Sequence, residues 1–140
     1  MNNEKASFHN YLMNEAYAMW KTHKEWSIDE FFDHLSFIQR VAVALGNLNY
    51  QVGNGGFSQW GFNGYAESHY DFLSRLNTEK YPQLTEALKI MQKAYPFLSR
   101  KDEFFDDDED SVVDSCDNEY YALKKLEEEM ETFLTDLQKQ

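Results

Sequence analysis

Asn54-Gly55-Gly56-Phe57-Ser58-Gln59-Trp60, with Asn63 three residues further on, is the stretch on which the reading of this chain turns. An apolar helical pattern stops there, and two adjacent glycines ask for backbone angles that a side chain forbids. Gln59 and Asn63 are four apart, so a short helix starting near Phe57 puts both amides on one face. Asn tolerates tight turns and bonds its own backbone, so Asn54 and Asn63 serve the turn first, while Phe57 and Trp60 fill the core. Amides do no acid–base work, and only Glu67 and His69 lie nearby in sequence as titratable partners.

Outward from this corner the pattern is helical throughout. Phe8, Tyr11, Leu12, Ala16, Met19 and Trp20 predict a helix over roughly 7–24. Ser27-Ile28-Asp29-Glu30 has the form of a capping box and opens a helix that turns Phe31, Phe32 and Leu35 inward. Ser36 begins another, with Val41, Ala42, Leu45, Leu48 and Val52 on its buried face and Gly53 as its left-handed stop. Gly46 in its middle costs about 1 kcal/mol against Ala, a cost that a close helix crossing explains. Ala66, Tyr70, Leu73 and Leu76 continue the spacing. Pro82 fits a first helical position, followed by Leu84, Ala87, Leu88, Met91 and Tyr95 on one face, with Pro96 closing the helix. Residues 99–117 read as a polar, acidic loop. Asp117 then caps a final helix carrying Tyr120, Leu123, Leu126, Met130, Phe133 and Leu137. The expectation is an all-α fold of about six helices in one domain over 1–140, without strands or internal repeats.

The 140 residues carry a net charge of −12, unevenly placed. Residues 1–100 hold 10 acidic and 9 basic side chains, whereas residues 101–140 hold 15 acidic and 4 basic. Such a surface repels nucleic acid and anionic lipid and attracts cations, basic proteins or proteins that normally hold DNA. No apolar run is long enough to span a membrane, and no signal core follows Met1. The single cysteine, Cys116, excludes an internal disulfide and suits the cytoplasm.

The ordered set Asn54-Gly55-Gly56-Phe57, Gln59, Trp60 and Asn63 resembles the hallmark of the DNA-mimic-protein family, small bacterial all-helical domains. Leu84 to Leu88, and Asp117, Tyr120, Tyr121 and Leu123, resemble later segments of that family. The resemblance covers roughly residues 35–138. Trp60 stands where Phe is more usual. What the resemblance implies is a helical domain, able to form a dimer, whose acidic face can occupy the DNA site of a nucleic-acid-binding protein. The family offers no fixed acidic motif to carry over, so the acidic candidates come from the charge of this chain alone.

Those candidates are Asp102, Glu103, Asp106, Asp107, Asp108, Glu109, Asp110, Asp114, Asp117 and Glu119, joined by Glu128 and Glu131 from the last helix. Duplex DNA carries one charge per ~3.4 Å on each strand, and an extended chain one side chain per ~3.3 Å. Five consecutive carboxylates thus reach a phosphate-like line density. The plainer reading is a solvated loop and a solvated helix face. Asp106-x-Asp108-x-Asp110 has the one-three-five spacing of a calcium loop, but Ser111 replaces the required Gly and Asp117 the bidentate Glu. His9, His23, His34 and His69 have no metal-type spacing, and no nucleophile elbow or phosphate loop is present.

The sequence therefore points to a non-enzymatic acidic protein without cofactor or metal that binds a basic, DNA-binding protein by presenting DNA-like charge. It engages neither nucleic acid nor membrane directly. The apolar stripe of the last helix offers a surface for a homodimer. Two alternatives stay open: an immunity- or antitoxin-type binder of one toxin, and a small-ligand domain using the Gln59/Asn63 corner.

Overall fold

The computed structural model describes residues 7–98 and 107–140, and the side chains of all of these but 107–110. Over them the chain forms seven helices, α1 (Phe8–Lys21), α2 (Ile28–Asp33), α3 (Phe37–Phe62), α4 (Tyr65–Ser74), α5 (Pro82–Leu98), α6 (Asp107–Tyr121) and α7 (Leu126–Gln138). No strand occurs among the described residues.

Local chemistry explains where the first helices start. The Ser7 hydroxyl accepts the Asn10 N–H at 2.9 Å and caps α1. Ser27 with Glu30 opens α2, and Ser36 with Gln39 opens α3, each pair making both bonds of a capping box. An N-cap of this kind is worth about 1 kcal/mol.

The centre of the molecule is α3, which packs against α1, α4, α5, α6 and α7. Every residue from Val41 to Leu48 is buried, so this helix is enclosed on all sides rather than half-solvated. Burying Leu45 and Leu48 completely contributes about 2 kcal/mol each. The polar member of that run, Asn47, accepts a hydrogen bond from the Tyr17 hydroxyl at 2.9 Å. Burial pushes that phenol up to about 12. One turn further along the same face of α1, Trp20 stacks on Phe31 with centroids 4.2 Å apart, and its Nε1 donates to the Trp26 carbonyl at 3.1 Å. These contacts tie α2 to α1.

Four expectations are corrected. α3 does not stop at Gly53; its irregular backbone lies at Gly55 and Gly56, and Gly53 stays helical. Residues 107–117 are not loop but the greater part of α6, held down by Val113, Cys116 and Tyr120 on one buried stripe. The predicted last helix is two, because the chain turns over 122–125 between α6 and α7. Finally, α5 runs past Pro96 to Leu98. The division at 122–125 accounts for seven helices where about six were expected.

Gly46 sits where α1 crosses α3. A Cβ there would lie inside contact distance of the Met13 thioether and 3.2 Å from His9 Nε2. Gly46→Leu is expected to lower unfolding stability in urea by about 1–3 kcal/mol. Adding Met13→Ala should restore part of that loss, since the two sites share one space.

Candidate partner-binding surface and the glycine corner

The break in α3 divides it into segments 37–54 and 57–62. Gly55 has φ −156° and ψ 16°, and Gly56 has φ 79° and ψ 179°. The Gly56 conformation belongs almost exclusively to glycine. In a regular helix the Phe57 N–H would turn back to the Gly53 carbonyl. Here it donates to Asp117 Oδ1 at 2.8 Å. Asp117, expected to cap its own helix, lies well inside α6 and instead caps the second segment of α3. A side chain on Gly56 would collide with its carboxylate. Burial raises the Asp117 pKa, the Phe57 N–H pulls it back, and Asp114 raises it further.

Beyond the break, Phe57 and Trp60 are wholly buried, and the Phe57 ring meets Tyr120 edge-on at 5.6 Å. Gln59 and Asn63 do share a face, but both turn back onto Gln51, with Asn63 still exposed. Gln59 Nε2 and Asn63 Nδ2 both donate to Gln51 Oε1, at 2.9 and 2.7 Å. The amides close on the preceding segment of the same helix, and the corner is filled. His69 of α4 is wholly buried beside it, tilted against Phe32 at 4.5 Å, with no hydrogen-bond partner on either ring nitrogen. Burial holds its pKa down to about 4, so the ring is neutral near pH 7.

The acidic candidates separate by what they touch. Asp102, Glu103 and Asp106 lie outside the described residues. Asp107, Asp108, Glu109 and Asp110 open α6, where acidic residue types suit the positive end of the helix dipole. Asp114 and Glu128 are exposed. Glu119 pairs with Lys93 at 2.9 Å, which lowers the carboxyl and raises the amine from their ordinary pKa values. Glu131 is engaged internally, accepting the N–H groups of Phe8 at 2.8 Å and His9 at 3.0 Å at the start of α1. A twelve-residue calcium loop has no place at 106–117, because residues 107–117 are helical.

One functional carboxylate escaped the sequence reading. Glu129 accepts from the N–H groups of Gln83 at 2.7 Å and Leu84 at 3.0 Å, capping α5. The available signal was the residue before Pro82: Tyr81 has no side-chain oxygen positioned by type to act as a local cap. Thus Asp117, Glu129 and Glu131 each close a helix start belonging to a distant part of the chain.

This is an all-helical fold whose C-terminal helices carry both its capping carboxylates and its excess charge. Residues 33–138 match the family described as DMP19-like protein. The chain belongs to that family, which is a DNA-mimic protein family. The match starts in α2 and runs to the end of α7. No curated protein and no solved structure matches the chain.

Two measurements test the corner. Asp117→Ala should destabilise the protein by about 1–2 kcal/mol in urea unfolding, whereas Asp117→Asn, which keeps an acceptor, should lose much less. The second concerns His69. The unfolded chain binds a proton at this ring near pH 6.5, while the folded one resists until about pH 4. The stability held above pH 6.5 is therefore lost as pH falls through that window, to a total of about 3 kcal/mol. His69→Leu should flatten the fall between pH 6.5 and 4 relative to the parent, read as the difference in urea midpoints.

Proposed function

We propose that this protein is a non-enzymatic DNA mimic that occupies the nucleic-acid site of a basic protein. Membership of a DNA-mimic family supports the reading. The observation that carries it is the division among the carboxylates. Asp117, Glu129 and Glu131 are committed to helix starts, while Asp114 and Glu128 stand exposed and four further acidic residues open α6. On a helix, carboxylates at i,i+3 and i,i+4 sit ~5–6 Å apart, close enough to work together on a basic groove. Competition follows from geometry: a partner holding this surface cannot hold DNA. The attraction is screened within ~10 Å at 0.1 M salt, so binding is strongest at low ionic strength.

The test replaces Asp107, Asp108, Asp110 and Asp114 together with Asn, leaving every capping carboxylate in place. Proteins captured from host lysate at low salt should be basic, should release at high salt, and should be displaced by duplex DNA. The quadruple variant should bind the captured partner about tenfold or more weakly while keeping its helical circular dichroism. Unchanged partner affinity in that variant would remove α6 as the contact.

A further inference from the structure

We propose that the cleft between the first segment of α3 and the turn joining α6 to α7 is a slot for an arginine side chain of the bound protein. The proposal deepens the basic-partner reading above and rests on it. The cleft has a volume of about 620 Å³. Tyr50 and Tyr121 line it and are 66% and 43% exposed, high values for aromatic rings in a chain with so filled a core. Tyr121 is fixed by its hydroxyl, which donates to the Val52 carbonyl at 2.7 Å. Tyr120 behind it donates to Asn49 Oδ1 at 2.9 Å. Tyr121 is thus held in place before any partner arrives, and little ordering cost remains on that side of the cleft.

The electrostatics of the cleft favour a cation from three directions. Exposed Glu127 and Glu128 line it, opposed by one ammonium, Lys124, and by the positive dipole end of α7, whose first turn they form. The last residues of α6 line it too, as does the end of the first α3 segment at Gly53 and Asn54. Both are helix C-termini, where carbonyl dipoles favour positive charge. A guanidinium uses all of this at once: its plane stacks on tyrosine and its fork meets carboxylate and carbonyl oxygens. An ammonium offers no flat face and binds as a point charge.

Gly53 supplies the control. It is helical and exposed, and a Cβ built on it meets nothing within 4 Å. Gly53→Leu therefore fills the cleft without altering the charge or straining the fold, and Leu is the better helix former. The experiment titrates octa-arginine and octalysine, each fluorescently labelled, into the full chain at low salt. The parent should prefer octa-arginine by about tenfold. Tyr50→Ala and Gly53→Leu should each reduce that preference to less than about threefold, with helical content unchanged. Glu127→Gln with Glu128→Gln should weaken both peptides. Equal affinity of the parent for the two peptides, or a preference that survives Gly53→Leu, overturns the slot and leaves the basic-partner reading standing. Failure of both peptides to bind overturns both readings.

Discussion

Asp117 meets α3 where that helix breaks, and its carboxylate takes the Phe57 N–H that the break sets free. Much of the molecule is arranged around this bond. One turn further along α6, Tyr120 and Tyr121 reach Asn49 and the Val52 carbonyl on the first α3 segment. α6 therefore grips both segments of α3 and holds the angle between them. That angle sends Phe57 and Trp60 into the core and turns Gln59 and Asn63 back onto Gln51. It also sets the direction of α6. At 1.5 Å per residue, the acidic first turn stands about 15 Å up the axis from Asp117. The glycine pair and the acidic helix are parts of one construction: Gly56 clears the room that Asp117 occupies.

The negative charge of the C-terminal third divides into two groups. Asp117, Glu129 and Glu131 satisfy backbone N–H groups at helix starts, where carboxylate and helix dipole reinforce each other. Glu119 is taken up by Lys93. What is left for a partner is a smaller and better-defined set than the raw count of acidic residues suggests, concentrated at the start of α6 and the start of α7. A carboxylate inventory taken from sequence overstates a binding surface wherever helices borrow their caps from other helices.

The parts of the fold that depend on local chemistry were legible. Ser27 and Ser36 mark two helix starts by side chains that reach only three residues ahead, and the apolar spacing of α1, α3 and α5 is regular. What was not legible depends on tertiary contact. α6 reads as loop because its acidic composition hides a stripe of only Val113, Cys116 and Tyr120, with Cys116 weighed as a thiol rather than as a small apolar residue. The break at 122–125 carries no Gly or Pro, and the spacing of Tyr120, Leu123, Leu126 and Met130 runs through it without a fault. The corner was found in the right place, but Gly53 was given the role that belongs to Gly55 and Gly56. Of the acidic candidates, Asp114 and Glu128 stand in solvent, while Asp117 and Glu131 are bonded to backbone N–H groups. No local pattern distinguishes a carboxylate that will meet a backbone amide 60 residues away.

The enclosure of α3 has a consequence for how the chain comes to be made. Its eight-residue run from Val41 to Leu48 finds α1 already synthesised, but α4 to α7 all follow it in chain order. A nascent chain paused after Asn63 presents an oily helix with most of its walls missing. The enclosure is complete only when α6 and α7 have emerged and packed against it.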